Sequence, residues 1–153
     1  MIQRIQTLYL LIAFAMGIAF LFSPLASYSA ASLVYNLKVM DFNDMGDLGQ
    51  SMFVSTMPLI IVTGVFVALL AIIILLYKNR PLQAKLAGVS ILVNTVMIFL
   101  GFWFTDAMGE KINAQANYEY GTIIPVISLL FLFMAMRGIK KDEKLIRSME
   151  RLR

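Results

Sequence analysis

Leu59-Ile60-Ile61-Val62-Thr63-Gly64-Val65-Phe66-Val67-Ala68-Leu69-Leu70-Ala71-Ile72-Ile73-Ile74-Leu75-Leu76-Tyr77 decides the fold class of this chain. It carries no charge until Lys78, and it is apolar on every side rather than along one stripe. A helix spans a bilayer with about 20 predominantly apolar residues, and a helix without a polar face needs apolar surroundings all round. Three further stretches have the same character. One runs from Leu8 to about Tyr28, one from Leu86 to Phe104, and one from Tyr120 to Met136 with Arg137 at its edge. With its full extent taken as about 53–77, the quoted stretch completes a set of four charge-free spans. Barrel strands alternate polar and apolar side chains residue by residue, and these segments do not. The expected fold is all-α: a polytopic membrane protein of four transmembrane helices, about 8–28, 53–77, 86–104 and 120–137, with a basic tail helix over 138–153.

Composition agrees. Of 153 residues, 60% are hydrophobic and 14% charged, against about 45–50% and about 25% in soluble chains. The chain has no cysteine and no histidine, which removes disulfides, thiolate nucleophiles and the commonest general base and metal ligands. Of the eleven methionines, Met16, Met57, Met97, Met134 and Met136 sit within the apolar runs, where a flexible thioether fills gaps. No cofactor is expected, and no catalytic or metal-binding residue.

Orientation follows from the basic residues, which concentrate in cytoplasmic segments. Arg4, then Lys78, Arg80 and Lys85, then Arg137, Lys140, Lys141, Lys144, Arg147, Arg151 and Arg153 fall on one side, and only Lys38 and Lys111 on the other. Both termini are therefore expected in the cytoplasm. The first span also imitates a signal peptide, with Arg4 ahead of it and Ser29-Ala30-Ala31 behind. Its apolar run exceeds the roughly 7–15 residues of a secretory core, so it is expected to be retained.

The outer loop from Ser29 to Ser51 contains Leu33-Val34-Tyr35-Asn36-Leu37-Lys38-Val39, rich in strand formers and followed by turn formers from Asp41 to Gly49. A short extracytoplasmic strand or hairpin over the bundle is expected. Asp41, Asp44 and Asp47 lack the alternate-position ligands and closing Glu of an EF-hand loop and read as a solvated turn. The second outer loop, Thr105 to Glu119, reads as polar and irregular, and Lys78 to Lys85 as a short link containing Pro81.

Within the spans, Asn94 is the polar side chain that most needs a partner, because an unpaired amide is costly in hydrocarbon. It is expected to bond across to Thr63 or Ser128, with a midplane ligand contact as the alternative. Ala13 and Gly17, Gly64 and Ala68, and Ala84 and Gly88 recur at four-residue spacing, which lets helix backbones approach closely. The tail offers Leu145, Met149 and Leu152 at helical spacing among its basic residues. Arg137, Lys140, Lys141, Lys144, Leu145, Arg147, Met149 and Arg151 are the candidate contacts to a partner or to anionic lipid headgroups, each basic residue contributing about 1 kcal/mol at an anionic surface. No aromatic platform accompanies this charge, which argues against nucleic acid.

The chain opens Met1-Ile2-Gln3-Arg4-Ile5-Gln6-Thr7-Leu8-Tyr9-Leu10 and closes with Lys141-Asp142-Glu143-Lys144-Leu145-Ile146-Arg147-Ser148 followed by Arg151-Leu152-Arg153. In these ends it resembles a family of small four-helix integral membrane proteins of unknown function from Bacteroidota. The resemblance implies a bacterial inner membrane, and it implies no activity and no site. Carboxylates fall in the loops, so no paired acid and base is expected inside the spans. The expected function is non-enzymatic: a structural or accessory subunit lying in the lipid bilayer beside other membrane proteins. The alternative is a small oligomeric carrier or channel for a small solute, with Asn94 on its path.

Overall fold

The computed structural model describes residues 3–30, 33–40, 56–77 and 79–150. In chain order these form α1 (Gln3–Phe22), β1 (Pro24–Ala30), β2 (Leu33–Lys38), α2 (Met57–Leu75), α3 (Arg80–Ile112), β3 (Ala116–Tyr118), a 3₁₀ turn (Tyr120–Ile123) and α4 (Ile124–Glu150). All four helices are long and apolar enough to cross a membrane.

The helices form a ring in sequence order, each packed on the next, and α4 returns to close it against α1. Helices that pack in sequence order as antiparallel neighbours give this up-and-down arrangement, with a short link only between α2 and α3. The buried positions explain how the helices meet. They are Gln6, Leu10, Ala13, Gly17 and Phe20 on α1, then Leu59, Thr63, Phe66, Leu70 and Ile73 on α2. On α3 they include Ala87, Ser90, Asn94, Met97, Gly101 and Phe104, and on α4 Ser128, Leu132, Ala135, Ile139 and Asp142. In every case the steps alternate between three and four residues. That is the spacing of a heptad seam, which keeps one stripe facing its neighbours at a small left-handed crossing.

Hydrophobicity does not mark this stripe. The outward faces carry large apolar side chains, among them Leu8, Ile61, Ile72, Leu92, Phe99 and Leu130, all more than half exposed. The inward stripe mixes large apolar side chains such as Phe20, Phe66, Leu70 and Leu132 with small and polar ones such as Ala13, Gly17, Ser90 and Asn94, the latter as found in helices packed in lipid. At Gly17 an added Cβ would come within 3.0 Å of Val67 Cγ2 and 3.1 Å of the Phe66 ring, so the expected Ala13–Gly17 pair does lie in a helix contact. Gly64 and Ala68 face outward, and a Cβ at Gly64 would meet nothing within 4 Å.

Several boundaries differ from the expected ones. The first helix ends at Phe22 rather than near Tyr28, because Pro24 has no N–H to donate and disfavours helical geometry at the residue before it. Ser23 closes the end, its Oγ donating to Phe20 O at 2.8 Å, and Pro24 then opens β1, a position in a strand that a proline tolerates. The second helix begins at Met57, with Pro58 in its first turn, and Phe53 lies outside the described residues. The third helix is far longer than 86–104. Pro81, expected in a link, instead occupies its first turn, where a proline costs no hydrogen bond. At its other end it continues through Asp106 and Glu110 to Ile112 and stops at Asn113, whose φ of 50° is left-handed. Its 33 residues extend about 50 Å at 1.5 Å per residue, well beyond a hydrocarbon core of about 30 Å. The fourth span is one continuous helix with the tail as far as Glu150.

A three-stranded antiparallel sheet, in the order β2-β1-β3, caps one end of the ring. The expected strand at Leu33–Val39 is β2, whereas β1 and β3 fall where a helix end and an irregular loop were expected. β1 pairs with β2 from Ala30↔Leu33 back to Pro24↔Lys38, with an irregularity between Pro24 and Ala26, and with β3 through Ala26↔Tyr118, Ser27↔Asn117 and Tyr28↔Ala116. The central strand therefore ties both connections at this end to one sheet. Asp41, Asp44 and Asp47 lie outside the described residues.

Behind β3, Gly121 packs directly on β1, and a Cβ added there would collide with the Pro24 carbonyl oxygen. Backbone cannot yield as a side-chain tip can. Gly121→Ala is expected to lower the unfolding free energy in mild detergent by about 1–3 kcal/mol, the usual range for overpacking. Gly64→Ala, into open space, is expected to leave the melting temperature unchanged or slightly raised. Equal losses from the two substitutions would refute this account of the cap.

Candidate functional site

Among the described residues, polar contacts at three places, the α3–α4 seam, the α1–α4 seam and the sheet end, join separate elements beside the basic end of α4. The first lies in the α3–α4 seam. Asn94 is fully buried, and its Nδ2 donates to Pro125 O at 2.9 Å. Neither expected partner takes this bond. Thr63 Oγ1 donates within its own helix to Leu59 O at 2.7 Å, the local bond that threonine favours in helices. Ser128 Oγ is buried without a hydrogen-bond partner among the described residues, and so is Asn94 Oδ1. The two orphans belong to facing stripes. Between Asn94 and the cap lies a crevice lined by Phe20, Met97, Thr122 and Pro125 with room for about one water.

A second contact, unanticipated, closes the α1–α4 seam at the basic end. Gln6 Nε2 donates to Asp142 Oδ2 at 2.8 Å, and both residues are more than nine-tenths buried. Gly138 makes this possible, since a Cβ there would stand 2.6 Å from Gln6 Cγ. Asp142 thus lies within the helical tail but is buried against a neighbour rather than exposed on the arm. In the sequence it hides among charges that look solvated, between Lys141 and Glu143. Gln6 was the available signal, as a lone amide at the head of an apolar run.

At the sheet end, Tyr28 OH donates to Thr105 O at 2.7 Å and Tyr118 OH to Asp106 Oδ1 at 2.6 Å. They fasten the central strand and β3 to the last turns of α3. The bond to Asp106, with partial burial and the carboxylate's charge, raises the Tyr118 phenol to about 12. Burial chiefly, then the nearby Tyr118 and Asp106, pushes the Tyr28 phenol further up.

The tail residues divide. Arg137, Lys140, Lys141 and Lys144 are exposed and fall on one face of α4, because Ile139 and Asp142 turn the opposite face to α1. The side chains of Leu145, Arg147 and Met149, and Arg151 entirely, lie outside the described residues. Among the described residues no group of three or more acidic side chains is placed to hold a metal ion.

A family model described as a domain of unknown function (DUF4293) matches residues 2–152. The chain belongs to that family. No curated protein and no solved structure matches the chain. The DUF4293 match spans the helices, the sheet and the basic extension alike, so these parts form one family unit.

Two outcomes test the polar contacts. Asn94→Leu removes one interhelical bond and one orphan oxygen together, and its cost in detergent unfolding is expected at about 1 kcal/mol or less. A loss several times larger would mean that the amide does more than join two helices. Spectrophotometric titration of the tyrosines gives the second. A raised phenol pKa means that folding favours the protonated form, so the Tyr118–Asp106 bond stabilises below the ordinary tyrosine value near 10 and is lost as pH climbs through about 12. Tyr118→Phe should remove one late-titrating phenol and leave that of Tyr28.

Proposed function

We propose that this chain is a multi-pass protein of the bacterial inner membrane, with both termini in the cytoplasm. There it serves as a non-enzymatic structural or accessory subunit that presents the basic extension of α4 to other membrane proteins. The observation that carries this proposal is the continuity of α4. A helix of 27 residues passes without a break from apolar span to basic arm, and the Gln6–Asp142 bond clamps that arm to α1. A clamped arm holds its charges at a set height and direction, as a docking element requires, whereas a charge-only lipid anchor works equally well when loose.

The carrier alternative draws on one observation, the unpaired Asn94 Oδ1 and Ser128 Oγ in the α3–α4 seam. Polar atoms left open inside a bundle suit a passing solute as well as a bound water.

Orientation is tested with single cysteines at Asn36, Asn79, Gln115 and Ser148 in a chain that has no cysteine of its own. An impermeant thiol reagent applied outside intact cells should label only Asn36→Cys and Gln115→Cys; labelling at Asn79→Cys overturns the topology. Function is tested by affinity purification in mild detergent. Lys141→Gln with Lys144→Gln should weaken a co-purifying partner mainly at raised salt, and Leu145→Ser with Met149→Ser should release it. Retention of every partner by both variants, or a solute flux in proteoliposomes that Asn94→Leu abolishes, would favour the anchor and the carrier respectively.

A further inference from the structure

A groove of about 440 Å³ lies between the start of α3 and the basic part of α4. Its depth comes from Ala84 and Gly88, one turn apart on α3, facing Met136 on α4; a Cβ at Gly88 would reach only Met136 Cε, at 3.9 Å. Lys85 and Lys140 stand on its two banks, with Glu143 at its outer end.

The groove is polar at one end and apolar at the other, and both helices agree on the direction. Along α3 the order from the basic end inward is Lys85, Gly88, then exposed Leu92; along antiparallel α4 it is Glu143, Lys140, Met136, then exposed Phe133. The lysines therefore stand at one level with an apolar channel running away from them toward the middle of the spans. A soluble anion would use the lysines and leave the channel empty. A protein segment would have to be charged at one end and greasy at the other, in line with the helices.

We propose that this groove binds one phospholipid carrying a single net negative charge, with its phosphate between Lys85 and Lys140 and the upper part of an acyl chain over Gly88 and Met136. Two ammonium groups, those of Lys85 and Lys140, answer one phosphate. The inference rests on the proposed membrane setting and adds to it a site distinct from the exposed arm. Arg137, Lys141 and Lys144 do not line the groove.

The test uses the full-length protein purified in neutral detergent and native mass spectrometry with added lipid. Phosphatidylglycerol is expected to bind saturably at one per chain, in preference to phosphatidylcholine and undisturbed by inorganic phosphate. Lys85→Gln with Lys140→Gln is expected to weaken it about tenfold or more, since each basic group near an anionic headgroup contributes appreciably. Gly88→Leu, which fills the channel and keeps every charge, is expected to weaken it similarly; Gly88→Ala, which barely enters the groove, shows that the helix tolerates a side chain there. Lys141→Gln with Lys144→Gln is expected to leave binding within about twofold.

Equal binding of phosphatidylcholine, displacement by phosphate alone, indifference to Gly88→Leu, or equal effects of the two lysine pairs would each overturn the site. The setting is tested separately by fractionation. An inserted chain that retains no phosphatidylglycerol removes the site alone, whereas a chain recovered without membranes removes the setting as well.

Discussion

The seam between the first and last helices is the constraint on which the rest of the structure depends. Without it α1 would lean on α2 alone, and the stripe of Gln6, Leu10 and Ala13 would lack its second wall. Three features fit together there: a glycine at 138 that admits Gln6, an amide that reaches Asp142, and a helix long enough to carry Asp142 past the apolar span. A buried carboxylate is costly unless hydrogen bonds offset its desolvation, and the Gln6 amide donates one without bringing a charge of its own. The same seam determines which way the arm faces, since its buried side is Ile139 and Asp142.

Polar groups throughout the bundle are handled in two ways. Ser128 Oγ is buried without a partner among the described residues, whereas Thr63, Ser90, Thr95 and Thr105 each donate to a carbonyl three or four residues back in their own helix and so ask nothing of a neighbour. The amides of Asn94 and Gln6 are too long for that and reach across seams, while Gln83 Nε2 donates to Ile73 O at 3.1 Å, near the end of α2. That last contact meets one of the carbonyls a helix end leaves open. Amides therefore specify which helix lies beside which, and hydroxyls merely tolerate burial.

The four spans were legible because length without charge is a strong signal, and the β2 strand because Leu33 to Val39 alternates and is rich in strand formers. The seams were less so. When a helix is apolar on all sides its hydrophobic pattern has no direction, and the inward stripe is marked instead by Ala13, Gly17, Ser90, Asn94 and Ala135. Those residues could be picked out singly but not joined into a face before the partners were known. The ends of α1 and α3 misled for a related reason. Pro24 and Pro81 both signal a break, yet one starts a strand and the other a helix, and only the pairing of β1 with β3 and the position of Asn79 distinguish them. Of the candidate residues, Asn94 is buried and bonds across a seam, to a backbone carbonyl that no side-chain pattern can announce rather than to Thr63 or Ser128.

The threading of the sheet has a consequence for the order in which the molecule is completed. Its middle strand follows α1 and leaves the ribosome before α2, while β3 emerges only after α3, and the helix that closes the ring emerges after both. Throughout synthesis, then, Gln6 at one end and the free edge of β1 at the other both wait for partners from the final third of the chain. When those partners arrive they do so on either side of a single helix, β3 just before α4 and Asp142 near its far end. A nascent chain that stalls before β3 keeps both openings, whereas one that stalls between β3 and α4 has closed the edge of β1 and still lacks the partner of Gln6.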